Sequence, residues 1–289
     1  MTETSNPAIT ADHGSERRFV RIPDLFSSIM ASRPAVNPNY FKVKAEGDRW
    51  ISRIMNWDEE TYAKYIKADF CYLSSMWAPD ADEDALRFML DLNYWVFLFD
   101  DQFDEGHLKD DPVAAQDELD QTMAIMEDDV PLIAPEEKPI RYVFQTCWLR
   151  QTQRASPESR QRYKDSHRIY FGQLLVQVQQ VARGEVLSRD VGTYLEVRRG
   201  TIGAYSTIVA AMDAERCQLP DHVFSHNSLQ ERTRISTDLT ILVNDLLSYR
   251  KDIELGVEHN LITLLMERGL PIQQAVNKIG TMIRNCYKQ

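Results

Sequence analysis

The stretch YWVFLFDDQFDEG, residues 94–106, decides how the rest of the chain is read. It joins a strongly apolar run to a cluster of four carboxylates. Asp100 and Asp104 lie four residues apart and share one face of a helix; Asp101 and Glu105 form a second such pair. Like charges stacked at that spacing repel by roughly 0.2–0.5 kcal/mol per pair on an exposed helix. A divalent cation between them removes the repulsion. Mg²⁺ suits the position, because it takes oxygen ligands, keeps several waters and is commonly held by one or two carboxylates together with substrate phosphates. A solvated acidic helix end would give the same string of letters. The apolar turns ahead of it, with Tyr94, Trp95, Phe97 and Phe99, argue instead that the carboxylates terminate a buried helix.

On both sides of this stretch the pattern is helical almost everywhere. Asp80 to Asp82, after Pro79, open the helix that runs through this stretch and ends near Gly106. Asp58 caps a helix over EETYAKYIKADFCYLSS, with Tyr62, Tyr65 and Phe70 among its apolar positions. Further helices are expected over 112–128, 136–152, 157–183, 188–212, 228–256 and 259–286, with Gly269 and Pro271 marking a stop and a new start. Gly 11 and Pro 12 are low counts for 289 residues, which favours long helices over a turn-rich β fold. No repeat or interdomain linker is visible. The expectation is an all-α bundle of about ten helices in one domain, residues 21–289, behind a disordered leader, residues 1–20.

Composition narrows the function. Hydrophobic residues at 43% and charged residues at 27% are a globular balance. A net charge of −11 disfavours non-specific nucleic-acid binding, although bound metals can invert the local field for an anionic substrate. Cys71, Cys147, Cys217 and Cys286 are scattered, with no CxxC pair, as in a reduced cytoplasmic protein. The opening MTETSNPAITADHGSERR lacks a signal-peptide core, and no run is apolar enough for a membrane span.

A second motif lies in TDLTILVNDLLSYRKDIELG, residues 237–256. Asn244, Ser248 and Asp252 recur at intervals of four along one helical stripe, about 12 Å long at 1.5 Å per residue. A carboxamide, a hydroxyl and a carboxylate are hard oxygen donors that can bracket one Mg²⁺. Arg250 and Lys251 beside them make sense if an anion such as a diphosphate also enters.

With both motifs in view, the chain resembles the class I terpene synthases, and in detail the fungal and microbial sesquiterpene synthases. Their signatures, DDxx(D/E) and (N/D)Dxx(S/T)xxx(E/D), read here as DDQFDE at 100–105 and NDLLSYRKD at 244–252, with Asp252 where the family more often has Glu. The run EVRRGTIGAY, residues 196–205, resembles the family's helix break, in which an arginine senses the diphosphate and a small residue four positions on acts on the substrate. That spacing selects Arg199 as sensor and Gly203 as effector, with Arg198 as the alternative. Gly200 and Gly203 weaken a helix by about 1 kcal/mol each relative to Ala, and a kink there would turn backbone carbonyls into a cavity. The pair His259-Asn260 also matches the family's continuation.

The resemblance covers roughly residues 20–285. Family members continue through a last helix and an Arg-Tyr pair that closes over the diphosphate; Arg284-Asn285-Cys286-Tyr287 is not that pair, so a bundle lacking its last C-terminal helix is expected. The resemblance implies that farnesyl diphosphate binds with three Mg²⁺ ions, its diphosphate held by Arg199, Arg250 and Lys251. Asp100 is then the chief ligand of the first motif and Asp104 the next, with Asp101 and Glu105 behind them; Asn244, Ser248 and Asp252 hold another ion. The metals neutralise charge on the departing diphosphate, and an aromatic face such as Phe97 stabilises the allylic cation by about 2 kcal/mol when desolvated. Water must be excluded, or the cation is quenched. C15 substrates are implied, with C10 the alternative, in a monomer or homodimer. Two competing readings are a catalytically impaired, truncated relative and a chain-elongating prenyltransferase; the latter carries two DDxxD motifs, against Asn244 and Ser248 here.

Overall fold

The computed structural model describes residues 19–127, 130–185, 190–217, 219–257 and 259–289. Nearly all of the expected leader falls outside them. Among the described residues there are thirteen α-helices and no strand. They are α1 Tyr40–Ile54, α2 Glu59–Ala68, α3 Phe70–Trp77, α4 Glu83–Asp104, α5 Pro112–Ala124, α6 Pro139–Arg154 and α7 Pro157–Ala182. Then follow α8 Val191–Thr201, α9 Ala204–Ala214, α10 Asp221–Phe224, α11 Asn227–Leu255, α12 Leu261–Glu267 and α13 Ile272–Lys288.

The helix α4 contains the decisive stretch and is apolar on nearly every side, which is the pattern of a central helix. Leu86, Phe88, Met89, Leu90, Tyr94 and Trp95 are fully buried along it. It packs against α1, α3, α6 and α9. Asp82 starts it by accepting a hydrogen bond from the Ala85 amide, and Glu83 and Asp84 in the first turn complement the positive end of the helix dipole. Trp95 stacks on Phe144 of α6 with ring centroids 4.2 Å apart, at the heart of the larger core. A second core joins α8, α11, α12 and α13 to Leu25. Because α4 belongs to one core and α11 to the other, the two motifs sit on different walls.

Of the eight helices given ranges above, three are each divided in two, and α1 and α10 were not foreseen, which makes thirteen. Asp69 interrupts the helix expected over EETYAKYIKADFCYLSS: it adopts a left-handed conformation (φ 53°, ψ 57°) and caps α3 through the Tyr72 amide. Aspartate tolerates that conformation better than most residues. Gly203, also left-handed (φ 69°), separates α8 from α9. Gly269 (φ 90°) and Pro271 separate α12 from α13, at the place the sequence marks. Among the described residues no helix is long and apolar enough to cross a membrane.

The start of α4 is also a charge hub. Asp82 accepts from Arg154 and Arg216 at 2.8 and 2.7 Å, and these partners, Arg154 foremost, hold its carboxyl well below the usual range. A carboxyl with a lowered folded pKa contributes stability above its unfolded value, and that contribution is lost as pH falls through the folded one. Asp82→Ala is therefore expected to destabilise the protein by about 1 kcal/mol at neutral pH through loss of the cap. In urea denaturation the gap to wild type should stay constant down to about pH 4 and shrink below it; a gap independent of pH down to pH 2 would refute the role of the arginine pairs.

Candidate active site

Asp100, Asp101 and Asp104 occupy the last turn of α4, so their orientation is set by the most buried helix of the molecule. Asp100 and Asp104 point toward α7. The Tyr170 hydroxyl donates to Asp100 Oδ1 at 2.8 Å, and Gln177 Nε2 donates to Asp104 Oδ1 at 2.9 Å. Both carboxyls are pushed above the ordinary range. For Asp100 burial is the first cause and the charge of Asp104 the second; for Asp104 burial leads and Arg198 opposes it. Burial also raises Asp101, against the pull of Lys251. Glu105, just past the helix end, is paired with Lys251 Nζ at 2.8 Å.

The second motif lies on α11. Ser248 Oγ donates to Asp252 Oδ2 at 2.7 Å, and Asn260 Nδ2 donates to the same oxygen at 2.8 Å. Asn244 is exposed and accepts from Arg198 at 3.2 Å. Between Asn244 and Ser248, Asp245 plays a different part. It is fully buried, accepts from the Tyr194 hydroxyl at 2.6 Å and from the Leu261 amide at 3.1 Å, and its backbone carbonyl accepts from Asn260. Asp245 thus ties α8, α11 and the start of α12 together.

The arginine that faces both motifs is Arg198. Its side chain is only 12% exposed and lies 3.7 Å from Asp245 Oδ1. Burial disfavours its charge, but Tyr194, Asp245, Asp104 and Asp100 together outweigh that and hold it firmly protonated. Arg199, which the spacing to Gly203 selects, turns elsewhere: it makes a two-pronged pair with Asp238 at 2.6 and 3.0 Å, where Arg234 also binds. Neighbouring residues on a helix point about 100° apart, so only one of the two arginines can face the motifs. Arg250 also departs from expectation. Its side chain is 90% exposed and paired with Glu254, whereas Lys251 meets the acidic motif through Glu105.

The helix break is real, but its carbonyl chemistry is not as expected. The Gly203 carbonyl is already taken by the Ser206 and Thr207 hydroxyls at 2.9 and 3.1 Å. A Cβ at Gly203 would meet only Val96 Cγ2, at 3.7 Å, so glycine is needed there for its left-handed backbone rather than for space. Gly200 is the reverse case: a Cβ there would run into the Gln173 side chain, so glycine lets α8 approach α7. Phe97 is half exposed, and its ring stacks on Phe70 at 4.5 Å.

A cavity of about 420 Å³ lies on the flank of the site, lined by Asp104, Gln177, Tyr194, His259, Asn260 and Leu264. Asp104 brings the first motif to its wall, whereas Asn244, Ser248, Asp252 and Phe97 do not line it. Among the described residues no three carboxylate, imidazole or thiolate groups converge as a ready-made metal site. The donors nevertheless fit a divalent cation. Asp100, Asp101, Asp104, Glu105, Asp245 and Asp252 outnumber the cations Arg198 and Lys251 brought to them, and buried Asp245 Oδ1 lacks a hydrogen-bond partner. Oxygen donors that need substrate phosphates to complete the shell are the usual Mg²⁺ arrangement. Sequence reasoning did not find Tyr170, Gln177, Tyr194 or Asp245 as parts of the site, since each is read locally as ordinary helix.

Comparison with known proteins agrees with this geometry. A family model described as terpene synthase family 2, C-terminal metal binding, matches residues 91–289. A (+)-eremophilene synthase of Gibberella fujikuroi is 42% identical over 270 residues, covering 93% of this chain and 76% of the relative. A second protein of that fungus, named an inactive (1R,4R,5S)-(-)-guaia-6,10(14)-diene synthase, is 42% identical over 285 residues, covering 95% and 71%. The crystal structure of an α-eudesmol synthase superposes with a TM-score of 0.77 at 21% identity, covering 89% and 82%, which speaks for the fold. The chain belongs to the terpene synthase family, as a class I member with the metal-binding C-terminal domain.

Asp245→Ala removes the partner of Tyr194, Leu261 and Arg198 at once and takes from buried Arg198 the carboxylate it pairs with at 3.7 Å. It is expected to lower unfolding free energy by about 3–5 kcal/mol. Wild-type stability in guanidinium denaturation would refute the anchoring role.

Proposed function

We propose that the protein is a Mg²⁺-dependent sesquiterpene synthase that ionises farnesyl diphosphate to an allylic cation and releases diphosphate. Arg198 carries the proposal: a buried arginine within reach of both oxygen-rich motifs is what a departing diphosphate requires. Asp100 and Asp104 are the metal ligands of the first wall, and Asn244, Ser248 and Asp252 those of the second, for three ions in all. Mg²⁺, when bound, supplies positive charge to the leaving group. Arg198, in place of Arg199, donates to the diphosphate, and breaking its long contact with Asn244 frees that amide oxygen. Lys251 reaches the diphosphate from the other side, and Glu105 holds it close until then. Arg250 is too exposed to take part. Phe97, with one face on Phe70, offers its free area to the hydrocarbon cation. The C15 chain length follows the resemblance of the two motifs to sesquiterpene synthases, and a relative of Postia placenta, 28% identical, is named sesquiterpene synthase 9.

A second reading, a non-catalytic terpene synthase-like protein, is favoured by one observation. The relative named as inactive is as similar as the one named as a synthase. Release of diphosphate from farnesyl diphosphate with Mg²⁺ separates the two, and no release at any protein concentration would leave only the second. In the active protein, Asp100→Ala and Asn244→Ala should each abolish release, and retained activity in both would sink the ligand assignment. Arg198→Ala should lower kcat about 100-fold or more, as for loss of a charge-stabilising donor, with Arg199→Ala acting mainly on stability. The opposite ranking would return the sensor role to Arg199. Adding isopentenyl diphosphate should leave the products unchanged; chain-lengthened products would indicate a prenyltransferase.

A further inference from the structure

We infer that Tyr170, Gln177 and His259 are positioning residues for the acidic motif: Tyr170 holds Asp100, while Gln177, His259 and Tyr194 form a chain of side chains from Asp104 on α4 to Asp245 on α11. The inference rests on the proposed reading of Asp100 and Asp104 as metal ligands.

Tyr170 and Gln177 are seven residues apart on α7, two turns along one face, and they meet carboxylates one turn apart on α4. Each contributes one hydrogen bond, at 2.8 and 2.9 Å. Both donors are neutral, and that choice has a consequence. A neutral donor fixes the rotamer of a carboxylate and occupies one lone pair while leaving its charge in place for a cation; a lysine or arginine at the same point would cancel that charge and compete with the metal.

The Gln177 amide is held at both ends, its amino group on Asp104 and its oxygen toward His259. Gln177 Oε1 lies 3.4 Å from His259 Nδ1; with the amino group taken by Asp104, this oxygen can only accept, which favours the tautomer protonated on Nδ1. A reversed amide would set a carbonyl oxygen against the Asp104 carboxylate and an amino group against the imidazole N–H. At 3.4 Å the bond is long, so its weight lies in orientation more than in strength. His259 is itself fixed. It is buried, and its ring meets the edge of Tyr194 at 5.2 Å and 82°. The Tyr194 hydroxyl donates to Asp245 Oδ2 at 2.6 Å and lies 3.4 Å from the His259 carbonyl oxygen. The path Asp104, Gln177, His259, Tyr194, Asp245 therefore joins the two walls through contacts on α7, α8 and the segment before α12.

The test is calorimetric titration of Mg²⁺ into the full chain with inorganic diphosphate present. Gln177→Met keeps the volume and removes the donor; Tyr170→Phe deletes one hydroxyl. Each is expected to weaken Mg²⁺ binding about 10- to 100-fold, the range for residues that orient metal ligands. Excess Mg²⁺ should restore turnover in both. His259→Phe should weaken Mg²⁺ binding as well, and the double variant Gln177→Met/His259→Phe should bind no more weakly than Gln177→Met alone, since both act through one amide. Unchanged Mg²⁺ affinity in folded Gln177→Met and Tyr170→Phe would overturn the inference while leaving the proposed function standing. Fully additive losses in the double variant would overturn the part given to His259. Wild-type protein that takes up neither Mg²⁺ nor diphosphate would overturn the ligand assignment, and this inference with it.

Discussion

Negative charge confined at the buried end of α4 sets the terms for everything around it. Taking a carboxylate out of water costs roughly several kcal/mol, even after the protein relaxes. Asp100 and Asp104 meet that cost together, one turn apart, with their protonation pushed toward the neutral form. Three elements answer them: α7 with neutral donors, α8 with Arg198 and α11 with Lys251. The answer is partial, and the charge that remains is what suits the site to cations.

The breaks in the bundle make this convergence possible. Gly200 brings α8 against Gln173, one turn from Gln177 on α7, so Arg198 and Gln177 come to the same end of the molecule. Gly203 then turns the chain, and the Ser206 and Thr207 hydroxyls satisfy its carbonyl. A helix continuous through 203 would hold Arg198 and Tyr194 on the same axis as α9, and the clasp on Asp245 would be lost. Asp69 does the same service near Phe97, because its left-handed turn starts α3 and sets Phe70 under the Phe97 ring. The fold persists in solved structures of only 21% identity, as expected when apolar patterning and a few breaks define it.

Particular residues show how far the sequence could be read. The caps at Asp58 and Asp82, the stop at Gly269 and the break near Gly203 are short-range events, written in residues a few positions apart, and they stand where the sequence places them. The break at Asp69 was not legible, since left-handed aspartate is an uncommon choice that local patterning does not announce. Spacing along the chain was enough for the helical class, the two oxygen-rich motifs and their shared faces, because helical periodicity converts spacing into direction. Packing between helices is what turns Arg198 inward and Arg199 away, sends Arg250 out, and brings Tyr170, Gln177, Tyr194 and Asp245 to the site. Those outcomes depend on how helices distant in the chain rotate and pack against one another. That rotation is set by contacts such as Gly200 on Gln173, which no single segment contains.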